Sequence, residues 1–132
     1  MGYRSEIVIT LSKEAKKILE EKLDNLPDEE AENIESMLSS SDTHFIHESG
    51  AELYHWTWIK WYNSYPEVAF IEDFLNSLDD EGHNEDYCFL RIGEDLGDIE
   101  QQGFFYDDPF AACIACETRY STIKCKRIHR EH

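Results

Sequence analysis

Residues 53–62 read Leu-Tyr-His-Trp-Thr-Trp-Ile-Lys-Trp-Tyr and hold all three tryptophans of the chain. Strict alternation sends Tyr54, Trp56, Trp58, Lys60 and Tyr62 to one side, and His55, Thr57, Ile59 and Trp61 to the other. Bulky groups on both sides predict a strand in the centre of a sheet, with aromatic surface packed above and below. Core packing is the expected role of these rings. A platform for stacking single-stranded bases needs a basic groove beside it, and the surrounding sequence is acidic. A partly exposed Trp or Tyr anchoring a protein interface is the next reading.

The flanking sequence supplies the rest of such a sheet. Residues 3–11 alternate Ile7, Ile9 and Leu11 with Glu6, Val8 and Thr10, the pattern of a strand. Ser12 is a suitable N-cap for a helix with Ala15, Ile18, Leu19, Leu23 and Leu26 on one face. Pro27 ends it. A second helix is predicted from Asp28 to about Ser39, with Ala31, Ile34, Met37 and Leu38 as its apolar side. Residues 43–48 form a short strand, and Ser49-Gly50 a turn. Pro66 opens a third helix carrying Val68, Ile71, Phe74, Leu75 and Leu78. Residues 87–92 are a strand, 93–97 a turn, and 99–105 its hairpin partner. Residues 110–124 alternate as a long strand, and a basic tail follows over 126–132. Strands outnumber crossover helices. The expected fold is therefore α+β: a two-layer sandwich, an antiparallel or mixed sheet with helices packed on one face. A ferredoxin-like core is one form of it. We read one domain over residues 1–125, followed by the tail.

Charge is the next constraint. The chain of 132 residues has 29 Asp+Glu against 12 Lys+Arg, a formal net charge of -17. Residues 1–27 are balanced, five basic against five acidic. Residues 28–108 hold 22 acidic groups against Lys60 and Arg91, a net of -20, and residues 109–132 carry a net of +3. Phosphate affinity comes mostly from Lys and Arg, so direct binding to nucleic acid or to an anionic membrane is not expected. The acid falls in four clusters: Asp28, Glu29, Glu30, Glu32 and Glu35; Asp79, Asp80 and Glu81 with Glu85 and Asp86; Glu94, Asp95, Asp98 and Glu100; and Asp107 with Asp108. The unremarkable reading is a set of solvated faces. The functional reading is a surface that steers and binds a basic protein, with these sixteen residues as candidate partner-binding positions. Arg91 and Lys60 are each expected in an ion pair.

Motifs of catalysis are missing. The chain has no P-loop, dinucleotide fingerprint, His-Glu-x-x-His or Gly-x-Ser-x-Gly. No cofactor is expected. No apolar run approaches the ~20 residues of a membrane span, and no secretory signal opens the chain. We therefore expect a cytoplasmic protein whose four cysteines, Cys88, Cys113, Cys116 and Cys125, are reduced thiols. Cys113, Cys116, Cys125 and His129 have a zinc-like spacing, C-x2-C-x8-C-x3-H. A zinc knuckle wants a tight turn, however, and no Gly or Pro stands within or just after the first pair. In a strand, Cys113 and Cys116 point to opposite faces. Small buried cysteines are the preferred reading. His55, beside two tryptophans, is read as a packed sheet residue.

Four short words carry a resemblance: Gly2-Tyr3-Arg4-Ser5-Glu6, Trp58-Ile59-Lys60-Trp61-Tyr62, the helix of Val68 to Leu78, and Leu90-Arg91-Ile92-Gly93-Glu94-Asp95. Together, over residues 2–100, they resemble small acidic proteins of phages and prophages. The resemblance implies no catalytic residue. It implies an accessory protein that blocks a host defence system, such as CRISPR, by occupying a DNA-binding surface. The basic stretch from Lys124 departs from an all-acidic mimic. The expected function is therefore a non-enzymatic, phage-associated inhibitor that binds a basic nucleic-acid-handling host protein or nuclease complex through a DNA-mimic-like surface. The alternatives are an immunity protein against a nuclease toxin, and a small zinc-binding or self-associating structural domain.

Overall fold

A computed structural model describes residues 2–105 and Pro109. Its elements run β1 (Ser5–Leu11), α1 (Lys13–Asp24), α2 (Asp28–Ser39), β2 (Thr43–Ile46), β3 (Glu52–Ile59), α3 (Pro66–Asp80), β4 (Tyr87–Gly93) and β5 (Ile99–Gln102). The five strands form one sheet in the order β2-β3-β1-β4-β5, and every neighbouring pair is antiparallel. The fold is α+β, as expected. The order of β1 to β4, with helices in the two crossovers, is the ferredoxin-like arrangement. α2 is an addition to the first crossover, and β5 extends the sheet by a hairpin.

Local chemistry sets the element ends. Ser12 Oγ accepts the Ala15 N–H at 3.1 Å and starts α1. Pro66 occupies the first turn of α3. Gly82, at φ +84, ends α3 by letting the His83 N–H reach back to the Leu78 carbonyl at 2.7 Å.

The main core lies between one sheet face and the helices. β1 gives Ile7, Ile9 and Leu11, β3 gives Tyr54 and Trp56, and β4 gives Tyr87 and Phe89. The helices answer with Ala15, Leu19, Leu23, Ile34, Leu38, Val68, Ile71, Phe74, Leu75 and Leu78. A smaller cluster of Val8 and Leu90, with Leu53, Ile92 and Ile99 against it, sits on the second face.

The aromatic strand departs from simple alternation. Ile7 pairs with Trp56 and Ser5 with Ile59, so β3 advances three residues where β1 advances two. This bulge inverts the phase of the strand. Trp56, Ile59 and Trp61 all join the core, whereas Trp58 turns outward at 56% exposure. Trp61 lies 5.8 Å from Trp56 and 6.1 Å from Phe89, ring centre to ring centre. β3 is interior, but β1 holds the middle of the sheet. The Ile-Val-Ile of β1 is buried on both faces, which a fully flanked position demands.

Candidate partner-binding surface

The fold sorts the acidic clusters by place. β4 separates two of them: Asp79, Asp80, Glu81, Glu85 and Asp86 precede its first residue, and Glu94, Asp95 and Asp98 follow its last. A seven-residue strand holds such groups about 20 Å apart. Asp28, Glu29, Glu30, Glu32 and Glu35 ride on α2 in the helix layer. Asp107 and Asp108 lie outside the described residues, as do Cys113, Cys116, Cys125, His129, the strand expected over 110–124 and the tail.

Several of these carboxylates serve the fold itself. Asp79 accepts the Tyr87 hydroxyl at 2.8 Å. Asp86 accepts Ser12 Oγ at 3.1 Å and meets His83 Nδ1 at 2.9 Å. Glu94 accepts the Arg4 N–H at 2.6 Å. Asp98 receives the Tyr3 hydroxyl at 2.5 Å and both terminal nitrogens of Arg91, at 3.2 and 2.8 Å. Arg91 Nε also donates to Glu100 at 2.9 Å. The Arg91 guanidinium, then Tyr3, holds the Asp98 carboxyl below its ordinary range. Arg91 thus has the ion pairs expected of it. A cleft of about 470 Å³ lies beside this corner, lined by Trp61, Tyr62, Asn63, Glu72, Arg91 and Glu100.

α2 is different. Its five carboxylates are all exposed, and the helix contains no basic residue. Asp28, Glu29 and Glu30 in the first turn are favoured by the helix dipole, but no cation balances the last turn. Glu32 sits four residues after Asp28, a like-charge spacing that opposes the helix. Only Ile34 and Leu38 are fully buried on its inner side.

One cluster was not foreseen from sequence. Glu52, at the start of β3, accepts Lys16 Nζ on both oxygens at 3.0 Å, the Tyr54 hydroxyl at 2.9 Å, and pairs with His44 Nε2 at 2.8 Å. Lys16 also donates to Tyr54 Oη at 3.1 Å, and the His44 ring stacks on Tyr54 with centres 4.4 Å apart. Burial opposes the charge on Glu52, but the His44, Lys16 and Tyr54 donors outweigh it and hold the carboxyl below its usual range. Burial drives the Tyr54 hydroxyl up to about 12. The available signal was the Glu-x-Tyr of β3, which places both side chains on one face. Beside the network runs a cleft of about 320 Å³, walled by Leu23 and Leu38 and edged by Glu20 and Glu35. Every donor of Lys16 and both oxygens of Glu52 are already engaged, so the network is a brace between α1 and the sheet, not an open acid–base pair.

His55 is on the second sheet face, with Nε2 2.7 Å from Glu6. Burial lowers its basicity. Cys88, buried on the same face, is disulfide-bonded. This corrects the expectation of a free thiol. Alternation hides the difference, because an inert buried thiol and a bonded one leave the same pattern. Among the described residues, no three His, Cys, Asp or Glu side chains converge as a metal site. No described helix is long and apolar enough to cross a membrane. No model of a known protein family matches the chain, and no curated protein or solved structure shows significant similarity to it.

Proposed function

We propose that this chain is a non-enzymatic inhibitor, phage-associated and working in the cytoplasm, that binds a basic nucleic-acid-handling protein through the outer side of α2. The observation that carries this reading is the set of five exposed α2 carboxylates without a cation. Self-repulsion on a lightly anchored helix costs stability, and a basic partner removes that cost on binding. The groups at the two ends of β4 lie about 20 Å apart and do not form one compact patch with each other. Several of them also have internal partners. This reading therefore narrows the sixteen candidate positions to Asp28, Glu29, Glu30, Glu32 and Glu35, with Glu20 on the neighbouring cleft edge. A phosphate backbone presents a similar row of anions, so a nuclease or DNA-binding complex is the fitting partner.

The test is capture of host-lysate proteins on the immobilised full chain at about 50 mM and 500 mM salt, where screening separates steered from apolar binding. The wild type is expected to retain a basic nucleic-acid-handling protein at low salt only. The triple variant Glu29→Gln, Glu30→Gln, Glu32→Gln is expected to lose it. Equal recovery by that variant, or salt-independent recovery, removes the reading.

A further inference from the structure

The cleft of about 320 Å³ beside the Glu52 brace is walled by two helices. α1 lines it with Lys16, Glu20 and Leu23, which stand on successive turns. α2 lines it with Glu35, Leu38 and Ser39, and His44 and Tyr54 close the sheet end. Leu23 and Leu38 belong to the core and give the cleft apolar walls. Glu20 and Glu35 are exposed, and among the described residues neither enters an ion pair. A few placed polar groups on apolar walls are the build of a binding pocket.

The charge of this pocket calls for a cation. Among the described residues, Lys16 is the lone Lys or Arg of its lining, and both oxygens of Glu52 already hold its ammonium at 3.0 Å. Those two charges cancel and leave Glu20 with Glu35. The pocket also takes in the last turn of α2, where no basic residue balances the carbonyl end of the helix dipole. The remaining lining selects the kind of cation. Apolar walls suit a methylene stem. The His44 ring is stacked on Tyr54 and keeps 39% of its side chain exposed, a flat surface at the edge of the pocket. A guanidinium stacks on such a ring and offers several donors in one plane to carboxylates, whereas an ammonium is a compact, strongly hydrated point charge.

We propose that this cleft is a socket for one arginine side chain of a basic protein partner, with the stem between Leu23 and Leu38 and the guanidinium between Glu20 and Glu35. The inference rests on the α2 side as the docking surface and adds an anchor to it. Exposed carboxylates steer a partner toward that side, and a filled pocket fixes its register.

The experiment titrates the isotope-labelled full chain with N-acetyl-arginine amide, N-acetyl-lysine amide and N-acetyl-citrulline amide, followed by NMR at the His44 ring and the Leu23 and Leu38 methyls. Salt is held at about 150 mM, where exposed charges more than about 8 Å apart are largely screened. The arginine probe is expected to give a saturable shift and to bind at least about fivefold more tightly than the lysine probe. The uncharged citrulline probe is expected to give no saturable shift. The double variant Glu20→Gln, Glu35→Gln is expected to weaken arginine binding by at least about fivefold. The double variant Glu29→Gln, Glu30→Gln removes the same charge away from the pocket and is expected to change it by less than about twofold. All four positions are exposed, so both variants keep the fold. Equal binding of lysine and arginine, equal losses in the two variants, or no saturable shift overturns the socket. None of these outcomes decides the acidic-surface reading, which is tested by the salt-dependent capture. Failure of that capture with an intact arginine titration removes the host partner and leaves the socket.

Discussion

Glu52 and Glu32 belong to the same acidic middle of the chain, and the fold treats them in opposite ways. Glu52 is drawn under α1 and meets a lysine, a histidine and a tyrosine. Glu32 stands on α2 with four other carboxylates and no base in its helix. The first is acid consumed by folding; the second is acid left for something else. Net charge cannot distinguish them, because both count as one negative group. The difference lies in where the donors are. Lys16 sits one turn inside α1, a helix of balanced charge, and the hairpin register sets His44 opposite Tyr54. Among the described residues, no salt bridge engages an α2 carboxylate.

The sharpest way to break this contrast is to remove the consumed acid. Glu52→Ala leaves the Lys16 ammonium, His44 and Tyr54 without their acceptor in a site where the Glu52 side chain is only 12% exposed. Stranding one partner of such a pair is expected to cost about 3 kcal/mol, read as a lowered urea midpoint. The pH dependence follows from the direction of the Glu52 shift. Its folded carboxyl lies below the ordinary value of 4.5, so the contribution is complete above pH 4.5 and fades as pH falls through the folded value. Wild type and variant should therefore converge in acid. A gap that does not narrow as pH falls below 4.5 would assign the loss to packing instead.

Arg91→Met is the milder form of the same test. It frees Asp98 and Glu100 at a more exposed corner, and solvent screening limits the loss to about 1 kcal/mol. The loss should shrink in high salt, whereas the Glu52 effect should persist. Equal salt sensitivity at the two sites would erase the distinction between a buried brace and a surface pair.

Much of this fold was legible in the sequence, because periodicity reports burial. The helix starts at Ser12 and Pro66, the strands at β1 and β4, and the single helical layer all follow from local patterns. The misplaced aromatic side chains and the unforeseen Glu52 cluster share a cause: long-range register is not written locally. The bulge between Trp56 and Ile59 depends on pairing with β1, so alternation alone put Trp58 on the same side as Trp56 and Trp61 on the opposite one. The Glu52 brace joins residues of α1, β2 and β3 that meet only in the folded chain. The acidic clusters were plain in sequence, and so was the strand over 87–92 that separates two of them. The isolation of α2 is the one part of the site that could be read beforehand, from a helix with five acids and no base.

Neutralising the unused acid should leave the fold almost untouched. The triple Gln variant of Glu29, Glu30 and Glu32 is expected to shift the urea midpoint by no more than about 0.5 kcal/mol, and upward if repulsion within α2 dominates. A large loss would mean that these groups have structural partners, and would place α2 with Glu52.

Glu72 falls between the two classes and has the smallest expected effect. It accepts the Trp61 Nε1–H at 3.1 Å, but burial pushes its carboxyl above the ordinary value, and Glu100 adds to the shift. A carboxyl raised on folding stabilises only while protonated. The benefit is complete below pH 4.5 and disappears as pH rises through the folded value, so at neutral pH the ionised group opposes the fold. Glu72→Gln keeps an acceptor for Trp61 and deletes the charge. It should raise stability at pH 7 by about 0.5 kcal/mol and give no gain at pH 4. Unfolding curves at the two pH values decide the matter. A gain of equal size at both would show that side-chain shape, not charge, governs this position.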